Sequence, residues 1–299
     1  MSEKIYDARQ SMKVLNERRR DRWLQSFTDW SAEKIAPLPL GQFIHEFLIF
    51  GIKQAWACLF AGVLITGILG TYLLYPHNAI ISRYDFLFLL ALGMQAVLLL
   101  LKFERWDEAK IIAIYHVVGT IMEIFKTAKG SWVYPEANFF RIAGVPLFSG
   151  FMYSTIGSYM VRCWRLFDFK FSNYPDVKWS WALAILIYAN FFSHHYIIDF
   201  RVALFVMAAM IYGRCWIYFT CDKIARRMPL LLGFFLVAFF IWLAENIGTF
   251  TSVWLYPHQF RHGWSPVGFE KLGSWFLLMI ISFVLVTTVH KPEKPKPLD

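Results

Sequence analysis

The sequence predicts an all-α protein, a polytopic transmembrane bundle of about eight spanning helices, and three observations carry that prediction. The 299-residue chain is 58% hydrophobic and only 17% charged, whereas a soluble domain of this size carries about 25% charge. Apolar stretches of eighteen or more residues recur along nearly the whole chain after Phe43, which is the signal of membrane-spanning helices. Two of these stretches end in the same thirteen-residue pattern.

The N-terminal segment, residues 1–40, is basic, with apolar side chains interspersed among the charges. This mixture is typical of a cationic amphipathic helix lying on the inner membrane surface, and a solvated tail is the alternative. Pro37 and Pro39 end the segment. Its basic residues are Lys13, Arg18, Arg19, Arg20 and Arg22, and its apolar residues are Met12, Leu15, Trp23, Leu24, Phe27 and Trp30.

The bundle is expected over residues 41–290, followed by a cytoplasmic tail at 291–299. Cations concentrate before the first span and after every second one, so the positive-inside rule places both termini in the cytoplasm. An even number of spans agrees with this orientation. The predicted spans are 47–74, 86–103, 109–127, 144–167, 179–198, 200–221, 229–253 and 272–290.

Charge and cysteine usage limit the partners. The net charge of +9 falls in loops and tails, where membrane topology requires it, so it does not indicate nucleic acid. The expected partners are the lipid bilayer and a lipophilic small molecule. No apolar h-region with a small-residue cleavage site precedes the bundle, so no cleavable signal peptide is predicted.

Four scattered cysteines without a C-x-x-C pair predict neither a disulfide framework nor a metal knuckle, and no cofactor is expected.

The repeated pattern reads E-x3-T-x4-W-x-Y-P and ends the third and seventh predicted spans. The second copy follows the first by 122 residues at every position, because 245 − 123 and 257 − 135 both give 122. Since both spans run outward, a duplication would be parallel and would relate helices 1–4 to helices 5–8, with sites between the halves. The copies hold Glu123, Thr127, Trp132 and Tyr134, and Glu245, Thr249, Trp254 and Tyr256.

Glu123 and Glu245 are the strongest catalytic candidates. Nine residues separate each glutamate from its tryptophan, which is about 13.5 Å along a helix. If the tryptophans lie in the interfacial belt, both acids lie deep in the membrane at matching depth. An ionisable group there costs roughly 2.5–3.5 kcal/mol or more and is tolerated mainly where it works or is paired. The pair therefore suits general acid catalysis, unless each glutamate only hydrogen-bonds a neighbouring helix.

Histidines add three further catalytic candidates. His116 lies two helical turns before Glu123 on the same face. His194 and His195 follow Asn190, and a continuing helix would place His195 on one face with Asp199. That pair could orient an imidazole for acid–base work. A metal site and a plain interfacial turn are the alternatives, and no metal-specific spacing is present.

Three more side chains complete the predicted substrate-binding set, which also includes Asn190, Asp199 and the Thr, Trp and Tyr residues of the pattern. Asn246 follows Glu245 directly and either lines the same cavity or bridges to another helix. Tyr153 belongs to a polar stripe on the fourth span. Arg141 lies in an outer loop that begins at Glu136 and either caps the site or is solvated.

Four segments of the chain resemble a bacterial family of integral membrane proteins known as the domain of unknown function 817 family. They are His116–Glu123, Gly130–Glu136, Asn190–His195 and Ala244–Asn246. The resemblance runs over almost the whole chain after about residue 40. It implies a multi-helix protein of the bacterial inner membrane, and it implies no activity and no catalytic residue.

Three functions fit these features. The leading hypothesis is a membrane-embedded enzyme that uses Glu123 and Glu245 for acid–base chemistry on a lipophilic substrate, an isoprenoid or another lipid. A proton-coupled transporter would also use mid-membrane acids, although neither half shows a clearly broken helix. A membrane scaffold, docked through the basic N-terminal segment, is the third.

Overall fold

The computed structural model describes residues 22–76 and 78–295 and is mostly helical, with a few short strands. Part of the predicted N-terminal amphipathic helix, residues 1–21, lies outside the described residues. The described helices are α1 (Arg22–Lys34), α2 (Gly41–Ala57), α3 (Leu59–Leu74), α4 (Arg83–Leu100), α5 (Trp106–Ala128), α6 (Phe148–Leu166), α7 (Val177–Ser193), α8 (Arg201–Tyr212), α9 (Leu230–Phe250), α10 (Pro257–His262) and α11 (Glu270–Val286).

Five short strands accompany the helices. β1 (Arg141–Ile142) and β2 (Val145–Pro146) form a two-residue antiparallel ladder just before α6. β3 (Lys170–Ser172), β4 (Trp216–Thr220) and β5 (Ala225–Pro229) form an antiparallel sheet in that order. The Phe171↔Ile217 and Ile217↔Met228 pairs fix its register.

The chain divides into two compact units. One contains the described part of residues 1–54 together with Cys221–Ile224. The other contains the described part of residues 55–220 and 225–299, and it holds both glutamates and all the other predicted site residues.

Three helices are long and apolar enough to cross a membrane, namely Arg83–Leu100, Glu108–Ala128 and Leu230–Phe250. A fourth span results if α2 and α3, which are broken at Cys58, are counted together. Each of the eight predicted spans contains a described helix, but the remaining helices do not meet this test. The count of eight spans is therefore not confirmed, whereas candidate membrane spans are present.

The prediction of one helix over 200–221 is wrong. Helix α8 ends at Tyr212, and Trp216–Thr220 is the central strand of the three-stranded sheet. The strand consists of aromatic and β-branched residues, which favour extended structure. A run of such apolar residues does not by itself distinguish a strand from a helix.

Close packing of α5 against α6 dominates the bundle around the predicted site. Glycines allow this approach, because a Cβ on Gly119 would lie 2.5 Å from Cδ2 of Tyr153 and one on Gly157 would lie 2.9 Å from Cδ2 of Tyr115. Helices α9 and α11 pack together in the same unit. Trp164, Phe234 and Phe283 lie in the larger apolar core that joins these helices.

Two charged side chains at the start of α4 hold the loop that follows α5. Asp85 accepts hydrogen bonds from the backbone N–H groups of Phe139 and Phe140, both at 2.8 Å. Arg83 donates to the carboxylate of Glu136 at 2.8 Å and to the carbonyl of Thr251 at 3.0 Å. The loop from Glu136 is therefore tied to helix α4, although Phe139 within it is 83% exposed.

Candidate functional site

Glu123 is buried on α5 and accepts three hydrogen bonds from aromatic side chains. Its residue is 4% exposed. One carboxyl oxygen, Oε2, accepts from Trp132 Nε1–H at 2.7 Å and from the Tyr134 hydroxyl at 2.6 Å. The other, Oε1, accepts from the Tyr153 hydroxyl on α6 at 2.8 Å. Two donors therefore come from the repeated pattern and one from a neighbouring helix.

Glu245 has a matching environment on α9. Its residue is 5% exposed. Oε1 accepts from the Tyr256 hydroxyl at 2.5 Å, and Oε2 accepts from Trp275 Nε1–H on α11 at 2.6 Å. Each glutamate thus binds the tyrosine eleven residues ahead of it and an aromatic donor thirty residues ahead, since 153 − 123 and 275 − 245 are both 30.

The two copies of the pattern contact each other at equivalent positions. Val133 and Leu255, the central residues of the two W-x-Y segments, exchange backbone hydrogen bonds of 2.9 Å in both directions. The rings of Trp132 and Tyr256 lie 6.2 Å apart. The rings of Tyr153 and Trp275, which donate to Glu123 and Glu245 respectively, lie 6.5 Å apart. Glu123 and Glu245 therefore belong to one cluster.

The tryptophans of the pattern do not behave alike. Whereas Trp132 donates to Glu123, the ring of Trp254 packs on α9 over Gly248, where an added Cβ would lie 2.1 Å from Cη2. The residue equivalent to Gly248 in the first copy is Lys126, because 248 − 122 = 126. The lysine occupies the face that the tryptophan covers in the second copy.

Lys126 is buried one turn after Glu123 and contacts both histidines that follow α7. Its Nζ lies 3.1 Å from His194 Nε2 and 2.8 Å from His195 Nε2. His194 Nδ1 lies 2.8 Å from the Asn190 carbonyl, so it carries the proton and leaves Nε2 as the acceptor. Partial burial, and then the charge of Lys126, lower the pKa of His195 to about 4. Both imidazoles therefore accept from the ammonium group.

The predicted His195–Asp199 pair does not form, because α7 ends at Ser193. Asp199 instead accepts from the Asn190 side chain at 3.0 Å and from Arg201 at 2.8 Å. Burial raises the pKa of this carboxyl, but the bond from Asn190 and the bond and charge of Arg201 outweigh it and leave the pKa lowered. Asn190 and Asp199 thus fix the turn between α7 and α8.

His116 lies between α5 and α6 rather than beside the carboxyl groups. Its ring packs on Phe151 with centroids 4.5 Å apart, and Nδ1 would lie 2.6 Å from a Cβ on Gly150. Thr120 contacts the same glycine. His116 therefore occupies the helix interface two turns from Glu123.

Several predicted binding residues lie outside the hydrogen-bond set of the glutamates. Asn246 donates to the carbonyl of Trp242 on its own helix and accepts from the N–H of Val267, which lies in the segment before α11 rather than in another helix. Thr249 accepts from Trp264 at 3.2 Å. The buried Thr127 hydroxyl has no hydrogen-bond partner within the described residues. Arg141 donates to the Gly144 carbonyl in the β1–β2 turn.

Trp275, Lys126 and Lys271 lie in the cluster as well, although none of the three is among the predicted site residues. Lys271 lies over the ring of Tyr256, 4.5 Å from its centroid. Burial lowers the pKa of Lys271, and the charge of Glu245 acts in the opposite direction. Only the repeat offset could have identified Trp275, because Tyr153 plus 122 gives 275.

Polar contacts continue along the α5–α6 interface toward the other end of these helices. Ser154 donates to the carbonyl of Ile112 at 3.0 Å. Arg162 and Glu104 form a buried ion pair of 3.2 Å. Glu108 pairs with Arg165 at 3.0 Å. The interface thus carries polar groups along most of its length.

A Ser–His–Asp contact lies in the compact unit that contains residues 22–54 and Cys221–Ile224. Ser31 Oγ is 2.8 Å from His45 Nδ1, and His45 Nε2 is 3.3 Å from Asp222. Ser31 is fully buried, so a substrate cannot reach its hydroxyl. The contact joins two helices and a loop and does not form a nucleophilic site.

An apolar groove of about 800 Å³ runs between α3 and α4. Gly62, Thr66 and Gly70 line it on one side and Phe86 and Leu90 on the other. None of its lining residues belongs to the glutamate cluster. Within the described residues, no group of three or more His, Cys, Asp or Glu side chains could hold a metal ion.

Fold and site define a mostly helical protein with candidate membrane spans and two buried, aromatic-bound glutamates. Residues 46–283 match the family described as "Protein of unknown function (DUF817)", and the chain belongs to that family. The resemblance seen in the sequence is thereby confirmed. "Uncharacterized protein YoaT" of Bacillus subtilis (strain 168) is 37% identical over 254 residues, covering 85% of this chain and 95% of that relative. No solved structure matches the chain.

Proposed function

We propose that this protein is a membrane-embedded acid–base enzyme that acts on a lipophilic substrate, with Glu123 and Glu245 as the proton-exchanging pair. One observation carries the proposal: two buried carboxyl groups receive equivalent aromatic donors, and the donors of one pack on those of the other. Burying two acids together is costly unless they work or are fully compensated. No cation forms an ion pair with either within the described residues.

The donors around the pair suit proton transfer. A tyrosine hydroxyl can donate or accept, whereas an indole N–H only donates. Glu123 has two tyrosines and Glu245 has one, so each carboxylate can take the proton of a donating hydroxyl while that hydroxyl takes a proton from the substrate. Each tryptophan then fixes the orientation of one carboxyl oxygen. Two carboxylates held together share one proton more readily than both ionise.

The remaining parts of the proposal follow from the membrane topology. We place the chain in the bacterial inner membrane with eight spans and both termini in the cytoplasm. The first four and the last four of the predicted spans would then be parallel repeats. The mutual Val133–Leu255 pairing supports this arrangement, because equivalent residues of two repeats meet only where a twofold axis relates them.

The test is a comparison of extractable lipids by mass spectrometry in four strains. They carry a deletion, wild type, Glu123→Gln, or the control Glu33→Gln, which removes an exposed glutamate on α1. We expect a lipid species that changes on deletion and is restored by wild type and Glu33→Gln but not by Glu123→Gln. Equal restoration by Glu123→Gln would remove the glutamate from the chemistry.

A proton-coupled transporter is the second candidate, and the polar α5–α6 interface favours it. Ser154, His116 and Tyr153 place polar groups along this interface between the ion pairs at one end and Glu123 near the other. Such a series suits proton movement along the helix pair. Proteoliposomes distinguish the two functions: a pH gradient that drives solute uptake supports transport, and a chemically altered lipid supports the enzyme.

A further inference from the structure

The Lys126 amine contacts the segment that follows α7, and the starts of α8 and α11 are joined by a hydrogen bond of 3.5 Å from Arg201 to the carbonyl of Glu270. Lys126 is near the C-terminal end of α5, and His194 and His195 follow α7. Arg201 begins α8, and Lys271 is the second residue of α11. The charges of Lys271 and Arg201 both act on Lys126. The N-terminal ends of α8 and α11 add partial positive charge.

Lys126 forms no ion pair with a carboxylate within the described residues. It is nevertheless only 6% exposed. Its Nζ binds two neutral imidazoles and lies 4.4 Å from the centre of the Phe191 ring. Asp199, the acid whose charge acts on it, already accepts from Asn190 and Arg201.

Aromatic faces also contact the neighbouring lysines, although the charges of Glu245 and Glu270 act on Lys271 as well. Lys129 Nζ lies 4.2 Å from the centre of the Tyr196 ring, and Lys271 Nζ lies 4.5 Å from that of Tyr256. Aromatic faces stabilise ammonium groups but do not neutralise them. A buried ammonium without a counter-charge is costly, so the arrangement favours an anion between these side chains.

We propose that Lys126, with His194, His195, Arg201 and Lys271 around it, binds an oxyanion group of the phosphate class. An ammonium donor and a guanidinium are the groups that bind phosphate in proteins. The two imidazoles position the Lys126 amine and leave its third N–H for the anion. The same chemistry is present in free phosphate and in the head group of an anionic lipid. The proposal goes beyond the acid–base function and does not depend on it.

The first test measures the thermal midpoint of the full chain in phosphatidylcholine nanodiscs. Inorganic phosphate is titrated in one arm, and phosphatidic acid replaces part of the lipid in the other. We expect the midpoint to rise, because a ligand that binds the folded state stabilises it. A rise with phosphate identifies the free anion as a ligand, and a rise with phosphatidic acid alone identifies a head group. No rise in either arm overturns the proposal.

Variants assign the effect to the site. Lys126→Gln removes a charged donor and is expected to weaken the apparent affinity about ten- to a hundredfold, while Lys126→Arg keeps the charge and most of the binding. Lys178→Gln, an exposed lysine on α7, removes an equal charge and should change nothing. An equal loss in Lys178→Gln would mean non-specific attraction and would contradict the site.

A measurement on the wild-type chain keeps the test valid if Lys126→Gln does not fold. The anion should slow labelling of the Lys126 amine by an amine-reactive ester, read by mass spectrometry, and leave Lys178 unchanged. Equal labelling with and without the anion counts against binding there. Glu123→Gln should keep the anion response, so failure of the acid–base function and failure of this site are distinguishable.

Discussion

Tyr153 and Trp275 hold equivalent places, thirty residues after Glu123 and Glu245, and their rings lie 6.5 Å apart. Each donates a hydrogen bond to its own glutamate. The contact brings the two acid environments together on α6 and α11. The ring pair therefore links the surroundings of the two glutamates.

Removing either donor is expected to destabilise the bundle. Tyr153→Phe and Trp275→Phe each leave a buried carboxyl oxygen without one partner, which costs about 1–3 kcal/mol. Chemical unfolding in detergent measures the loss, with Tyr188→Phe as the control, since that ring packs on Phe192. Losses no larger than that of the control would mean that the two hydrogen bonds do not hold the cluster.

Substitution of the two glutamates is expected to be non-additive. Glu123→Gln and Glu245→Gln each remove a proton-transfer group and should lower formation of the altered lipid about a hundredfold or more. Because the pair acts as a unit, the double variant should lose little beyond either single one. The rate of product formation in membranes measures this. If the fold-loss of the double variant equalled the product of the two single losses, the glutamates would act independently.

Gly248 is expected to tolerate no side chain. A Cβ there would meet the Trp254 ring at 2.1 Å, so Gly248→Ala should cost about 1–3 kcal/mol by overpacking. Gly93→Ala on α4 is the matched control, because nothing lies within 4 Å of its added Cβ. There the better helix propensity of alanine should give a gain of up to about 1 kcal/mol. Thermal midpoints compare the two, and an equal response at both glycines would contradict the packing of Trp254.

Acid is expected to destabilise the fold through His195. Partial burial and the charge of Lys126 lower its pKa from 6.5 to about 4 in the folded chain. As the pH falls from about 6.5 to about 4, the unfolded chain binds a proton that the folded chain does not, so stability decreases and then levels off. His195→Asn should remove this part of the pH dependence, as measured by unfolding at a series of pH values. An unchanged slope in the variant would place the titration elsewhere.

The sequence predicted Glu123 and Glu245 as buried acids at matching depth in the membrane, and the structure buries both side chains. The pattern also holds three of their donors, Trp132, Tyr134 and Tyr256, although it predicted these as substrate-binding residues. Their roles as carboxyl partners could not be read from the spacing, since matching depth does not show which side chains touch. Trp254 demonstrates this, because it has the spacing of Trp132 and packs on Gly248 instead.

Two features were decided by contacts between distant segments. Lys126 was not predicted, because its partners His194 and His195 lie 68 and 69 residues away along the chain. The strand Trp216–Thr220 was predicted as helix, because a short apolar run fits either conformation and only the pairing with its partner strands decides between them.

By itself, the sequence determined the helical class, the family and the two buried acids, because hydrophobic length and a repeated spacing are properties of the local chain. The tertiary structure alone decided that Val133 pairs with Leu255 and that the two acids form one cluster. It also placed Lys126 between two imidazoles. The physical reason is that hydrogen bonds and charge interactions depend on distances of a few ångströms, which only the packing of the helices sets.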